Sequence, residues 1–239
     1  MNQLSKYPRL RSYVSNLKSI PGGTYSFGFT KYQVRDAPRI TISPFRMGAT
    51  PITWGMWKEY CKAGSVRMPI DPGWGYPDNH PVVMVSWEDI MDPGGYCEWA
   101  SGVVGFKLTL PTDAQWEYAA RGGKDRLVYP WGNDMDESKL WCGENKTAAV
   151  DRTDRIYRNG YGLTDMVGNG FNMCSDYYND DYRPTGKDPV DTKKSKYRCA
   201  RGGPWDYCSL GYFRCSFRAP YKPVEGSVTK VFRLSAGPK

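Results

Sequence analysis

The chain has 239 residues, with 33 Lys and Arg against 25 Asp and Glu, a formal net charge of +8 and a single histidine. That length can bury a sizeable core, while 26 Gly, 18 Pro and 15% aromatic residues point to large rings joined by turns rather than long aliphatic helices. One histidine excludes a His-rich metal centre. The start, Met1-Asn2-Gln3-Leu4-Ser5-Lys6, lacks the apolar stretch of a signal peptide, and no apolar run reaches membrane-spanning length. The expectation is a soluble protein made in the cytoplasm, without signal peptide or membrane insertion; display on a cell surface or a virus particle stays open.

In chain order, residues 1–19 read as a short polar, basic arm or helix ahead of a single domain over 20–239. Ile20-Pro21-Gly22-Gly23-Thr24-Tyr25 turns into a strand, and Ile40-Thr41-Ile42-Ser43 alternates as another. Thr53 is placed to cap a helix through Ala63, with Trp57, Tyr60 and Cys61 on one face and Gly64 as its stop. Ser86 is placed to cap a second, from Trp87 to about Trp99, which Asp92-Pro93-Gly94-Gly95 should break or kink. Thr112 and Gln115 form a capping box for a third, ended by Gly122. Residues 123–200 read mostly as loop. Strands near Gly202–Trp205, Phe213–Phe217 and Lys230–Leu234 would complete a small antiparallel sheet. The fold class expected is α+β.

The charge does not concentrate into a nucleic-acid surface. Its densest run, Lys193-Lys194-Ser195-Lys196, sits in a Pro/Gly/Asp-rich stretch that reads as a solvated loop. Asp176-Tyr177-Tyr178-Asn179-Asp180-Asp181 reads as a solvated acidic loop, and His80 before Pro81 as a structural residue. No nucleophile elbow, Cys–His couple or glycine-rich phosphate loop is present. Seven cysteines leave at least one unpaired within the chain.

The order of short motifs forms a pattern of its own. Ile20-Pro21-Gly22-Gly23-Thr24, Ser43-Pro44-Phe45-Arg46-Met47-Gly48, His80-Pro81-Val82 and Val85-Ser86-Trp87 come first. Leu110-Pro111-Thr112, Trp116-Glu117-Tyr118-Ala119-Ala120-Arg121-Gly122-Gly123, Tyr129-Pro130-Trp131-Gly132 and Gly162-Leu163-Thr164-Asp165-Met166-Val167-Gly168-Asn169 follow. Arg201-Gly202-Gly203-Pro204-Trp205 and Val231-Phe232-Arg233-Leu234 close it. This resembles the formylglycine-generating-enzyme, or sulfatase-modifying-factor, domain over roughly residues 20–234, and implies a C-type-lectin-like fold. Members include copper-dependent oxidases, iron enzymes and pure binding proteins, so the resemblance implies no single activity.

For a copper oxidase the resemblance implies two tail cysteines five residues apart, ahead of an Arg-Cys-x-x-Arg motif, here Arg214-Cys215-Ser216-Phe217-Arg218. The family spacing lands on Leu210 and Trp205, neither of them a soft-metal ligand. Cys208 is displaced and lacks its partner, and whether it is free or disulfide-bonded stays open. The family's calcium element, Gly-Asn-Val-Trp-Glu-Trp, reads Gly168-Asn169-Gly170-Phe171-Asn172-Met173 here, so its carboxylate is gone. No cofactor or metal is expected, although a weakened calcium site stays open.

The tail, 201–234, remains. Tyr207, Tyr212, Phe213, Phe217 and Tyr221 alternate with Ser and Gly in the manner of antibody paratopes, where rings give area and small polar residues adapt. It also resembles the variable proteins of diversity-generating retroelements, which share the fold, the Arg-Gly-Gly-x-Trp opening and a Gly-Phe-Arg closing, with Val231 here in place of that glycine. Their adenine-directed variation cannot produce Lys, Glu, Gln, Met or Trp, and Asp206 to Tyr221 contains none of these five. At average usage, sixteen positions would escape all five by chance roughly 3% of the time. The resemblance therefore implies a non-enzymatic ligand-binding receptor, with Arg201, Gly202, Gly203, Trp205, Arg214, Arg218 and Phe232 holding the tail. Asp206, Tyr207, Ser209, Leu210, Tyr212, Phe213, Ser216 and Tyr221 would face a macromolecular partner, a protein or cell-surface component. The alternative is a copper-dependent oxidase acting on a protein cysteine.

Overall fold

Residues 3–30, 37–64 and 66–238 are described by the computed structural model of the chain. The leading segment is built into the core rather than appended to it. Helix α1 (Pro8–Ser15) opens on a proline, whose missing N–H costs nothing at a helix start, and buries Leu10 and Tyr13. Strand β1 (Lys18–Ile20) then pairs antiparallel with β4 (Phe45–Met47). Between them lies a hairpin of β2 (Gly23–Ser26) and β3 (Arg39–Ile42).

Helix α2 (Trp54–Gly64) buries Trp54, Trp57, Tyr60 and Cys61. The second expected helix is two helices, α3 (Trp87–Met91) and α4 (Tyr96–Val104). Pro93 and Gly94 separate them, with Gly94 at φ +82° in the turn. The Ser86 hydroxyl accepts from the Asp89 N–H and the Asp89 carboxylate accepts from the Ser86 N–H, which closes a capping box at α3. Thr112 and Gln115 do the same for α5 (Asp113–Ala120).

Strands β4 and β5 (Leu108–Thr109) flank β10 (Ser235–Ala236), so the sheet order is β1-β4-β10-β5. A second four-stranded sheet runs β8-β7-β6-β9, from β6 (Phe171–Tyr177), β7 (Arg198–Arg201), β8 (Ala219–Tyr221) and β9 (Lys230–Val231). Its β6–β9 pairing is parallel, where an all-antiparallel sheet is expected from the sequence.

Two tail strands move from their expected places. Gly202 and Gly203 take φ of +96° and +82°, which ends β7 at Arg201, and Pro204 has no N–H for a ladder. Phe213–Phe217 forms turns, with Tyr212 N donating to Ser209 O at 3.0 Å and Phe217 N to Arg214 O at 3.0 Å. The Cys215 and Phe217 carbonyls accept from Arg201 Nη1 at 2.7 and 3.3 Å, serving the side chain of Arg201 rather than a strand ladder.

The core is aromatic, in two clusters. In one, Trp57 stacks on Tyr96 with centroids 5.3 Å apart, and Phe232 meets both rings edge-on. Burial of a side chain such as Phe232 stabilises by roughly 1.5–3 kcal/mol. The other gathers Tyr25, Phe27, Trp116, Met166 and Phe213. Val231 fits in place of the family's closing glycine because its neighbour lost a side chain. A Cβ on Gly170 would stand 2.6 Å from Val231 Cγ1.

Candidate functional site

The tail leaves the core through a buried charge clamp. Arg201, fully buried, donates from Nε to Asp113 and from Nη2 to Glu117 Oε2 at 2.9 Å. Arg218 donates from Nε to the second Asp113 oxygen at 2.7 Å and from Nη1 to the Asn179 carbonyl at 2.9 Å. Arg121 closes the array on Glu117. Burial alone would raise the Asp113 carboxyl, but the Arg201 and Arg218 guanidinium groups hold it below its ordinary value. Capping-box geometry fixes the first turn of α5, and α5 places Asp113 and Glu117 one turn apart, where Asp113 meets both Arg201 and Arg218 and Glu117 meets Arg201.

Gly202 and Gly203 make the close approach that the clamp needs. A Cβ on Gly202 would lie 2.3 Å from Met166 O, and one on Gly203 would lie 2.5 Å from the Phe213 ring. Trp205 Nε1 donates to Val228 O at 2.7 Å. At the far end, buried Arg233 donates to Asn172 Oδ1 (2.8 Å) and to the carbonyls of Gly48, Ala49, Thr164 and Asp165. Burial among these neutral acceptors lowers its pKa to about 10. Arg214 is half-buried and its Nε donates to Gly211 O at 3.1 Å, so it braces the tail from within.

The eight residues expected at the partner face separate into three groups. Asp206, Tyr207 and Leu210 are exposed, Tyr207 by 60% and Leu210 by 54%, and Ser209 and Tyr212 are half-buried beside them. Ser216 lines a different cleft, of about 490 Å³, with Phe27, Pro38, Tyr178, Arg183 and Arg214. Phe213 and Tyr221 do not face outward. Phe213 is fully buried over Gly203, and Tyr221, on β8, is 7% exposed among the first core cluster. The rings had no periodicity from which their direction could be read, and close approach by glycine draws Phe213 inward.

Residues outside the expected set pack against these rings. Phe171 on β6 contacts Tyr212 and Phe217 at centroid separations of 6.1 and 6.3 Å, and Tyr207 contacts Tyr212 at 6.1 Å. Trp74 meets Trp205 edge-on at 5.2 Å. Lys230 Nζ sits 4.6 Å over the Phe171 ring. Trp74 lies in Asp71-Pro72-Gly73-Trp74-Gly75, a turn signal in the sequence, but only the parallel β6–β9 pairing brings Lys230 to the face.

Cys208 is bonded to Cys142, with Cα atoms 5.2 Å apart and a sequence separation of 66. The Glu144 N–H donates to Trp205 O at 3.0 Å beside it, and the Tyr129 hydroxyl to Leu210 O at 3.4 Å. The exposed loop is thus tied to the frame by one covalent and two polar links.

The copper chemistry of the resembled oxidases does not fit these residues. Leu210 and Trp205 stand at the family's ligand positions, and Cys208 is spent in a disulfide. Cys215 is buried in the second core cluster, where burial pushes its thiol up to about 12. Calcium fits no better at the element 168–173. The Asn172 oxygen accepts from the Arg233 guanidinium, a fixed cation, and the Asn169 side chain bonds Ala148 N at 2.7 Å and Ala148 O at 3.0 Å. Among the described residues no group of three or more His, Cys, Asp or Glu could hold a metal ion, and no helix is long and apolar enough to cross a membrane.

The acidic stretch from Asp176 to Asp181 is only partly the solvated loop expected. Asp180 and Asp181 are exposed, but Asp176 is fully buried, accepting from Asp113 N and Asp191 N, each at 2.9 Å. Burial, followed by the nearby Asp113 charge, pushes its pKa up to about 7. The basic run is a surface loop, and Lys193 pairs with Asp181 at 2.8 Å. His80 is structural in character, its Nδ1 sharing a hydrogen bond of 3.2 Å with Thr147.

Residues 6–236 match the sulfatase-modifying factor enzyme 1-like domain. The chain belongs to that family. A formylglycine-generating enzyme from Thermomonospora curvata is 31% identical over 196 residues, 72% of this chain and 61% of that protein. The inactive C-alpha-formylglycine-generating enzyme 2 of Mus musculus is 32% identical over 152 residues, 58% of this chain and 42% of that protein. The chain thus spans about two-fifths to three-fifths of the length of these curated relatives. Among solved structures, Treponema denticola variable protein 1 superposes with a TM-score of 0.76 at 21% identity, covering 93% of this chain and 95% of that one. The fold is the α+β, C-type-lectin-like one of this family.

Proposed function

We propose that the chain is a non-enzymatic ligand-binding receptor whose tail, 206–212 above all, is a diversified recognition surface of the retroelement variable-protein kind. The observation that carries this reading is the contrast within the tail. Its ends are locked by buried arginines, while Asp206, Tyr207, Ser209, Leu210 and Tyr212 form an irregular, ring-rich loop that holds no regular structure of its own. A loop already tied down loses little entropy on binding, and exposed rings supply the buried area of an interface core. The likeness in fold to a protein named as a variable protein supports the reading, as does the absence of Lys, Glu, Gln, Met and Trp from 206–221. The partner would be a macromolecule, a protein or cell-surface component, engaged without bonds made or broken.

The test is the neighbouring genome. A reverse-transcriptase gene beside a second, adenine-rich copy of the tail-coding segment is expected, and absence of both overturns the diversified reading.

The names of the sequence relatives favour a second reading, a copper-dependent oxidase acting on a protein cysteine. It requires a thiolate pair, and the Cys142–Cys208 bond leaves none in the tail. Titration of the purified chain with Cu(I) decides this: stoichiometric, tight uptake abolished by Cys208→Ser would restore the oxidase.

A further inference from the structure

Lys230 differs from the lysines that form ion pairs. Lys58, Lys139, Lys193 and Lys222 each pair with a carboxylate at 2.7–3.0 Å, and Lys196, 5.1 Å over the Tyr197 ring, is exposed. Lys230 is half-buried, and its Nζ lies 4.6 Å over the Phe171 ring with only the Thr229 hydroxyl, at 3.3 Å, as a hydrogen-bond partner. No carboxylate lies within ion-pair distance of it among the described residues, and Asp206 acts on it only from farther off. Phe171 in turn contacts Tyr212 and Phe217, which contact each other, and Tyr212 contacts Tyr207, so the ring under Lys230 belongs to a chain of rings that runs into the loop.

We infer that Lys230 is the fixed cationic contact of the recognition face, and that the partner is a protein segment presenting an acidic side chain flanked by apolar residues. This rests on the receptor reading above. Burial has stripped much of the ammonium's hydration, and the ring face below returns only part of that loss. The same burial lowers its pKa to about 8, so near neutral pH it is still mostly charged. A partner carboxylate laid against it beside these rings would meet a cation that no carboxylate already pairs with, in surroundings poorer in water than an open surface. One ammonium matches one negative charge. Lys230 and Phe171 also lie outside 206–221, so this cation and the ring beneath it would stay constant while Tyr207, Tyr212 and Phe217 change.

The plain alternative is that the lysine stem only covers Phe171 and its head escapes to water. Panning separates the two. A phage-displayed random peptide library is selected against the purified chain near pH 7. Selected peptides are then measured against Lys230→Met, Lys230→Arg and a Tyr207→Ala/Tyr212→Ala double variant, each checked for unchanged unfolding temperature. The expected result is enrichment of Asp or Glu beside aromatic or aliphatic residues. Affinity should fall about tenfold or more with Lys230→Met and stay within about threefold with Lys230→Arg. Peptides that bind Lys230→Met as tightly as the parent, while the double tyrosine variant loses them, overturn the role of Lys230 and leave the receptor reading standing. Peptides indifferent to the tyrosines, or no enrichment at all, overturn both.

Discussion

The two halves of the tail are built on opposite principles. From Phe213 to Arg218 the chain is fixed by Arg201, Asp113 and Glu117, with Phe213 and Cys215 fully buried. From Asp206 to Tyr212 it has no regular structure, exposes Tyr207 and Leu210, and is held by the Cys142–Cys208 bond and a few carbonyl contacts. The first half makes the domain stable and offers a partner little beyond Ser216 and Phe217. The second adds little to stability, so its side chains are free to be chosen for contact.

The most severe way to break this contrast is Arg201→Met. It leaves Glu117 and Asp113 buried with fewer partners, and a loss of about 3–5 kcal/mol in urea unfolding is expected; under 1 kcal/mol would mean the clamp is not what holds the tail. Cys142→Ser should cost about 2–4 kcal/mol, given the 66-residue separation it closes. It should also speed amide exchange in 206–212 more than in 213–218. Equal effects in both halves would erase the distinction.

Asp176 sharpens the comparison through pH. Its folded pKa, about 7, stands above the ordinary 3.8, so its protonated form is favoured in the folded chain. The associated stability is full below about pH 4 and is lost as pH rises toward 7, an amount on the order of 2–4 kcal/mol. Asp113 titrates with the opposite sign, because its folded pKa is lowered. The difference between the parent and Asp176→Asn isolates the first effect: relative to the parent, the amide variant should gain from pH 4 to 7. A constant difference would refute it. The smallest effect is expected at the loop, where Tyr207→Ala and Leu210→Ala should each shift stability by no more than about 0.5 kcal/mol while weakening binding of the selected peptides.

What could be read from the sequence was what is local in the chain. The capping box at Thr112 and Gln115, and the break at Pro93 and Gly94, depend on residues three or four apart, and both form. The clamp joins Arg201 to Asp113 across 88 residues, and nothing near either residue announces the other. The same holds for Lys230 over Phe171. Phe213 shows the limit within the tail, because an aromatic residue in an irregular segment carries no mark of inside or outside until the glycine beneath it is known. Position 231 is a milder case: its valine is a departure from the family that Gly170 makes room for.

The bond between Cys142 and Cys208 has one further consequence. One of its sulfurs belongs to the frame and the other to the segment proposed to vary. A sister chain with any other residue at position 208 would keep Cys142 without its mate, 5% exposed next to a loosened loop. Such a chain would carry an odd thiol on its binding side, open to pairing with a second molecule. Substitution at that one site would therefore trade a rigid face for a sticky one, and cysteine at 208 becomes the choice that keeps all its neighbours free to change.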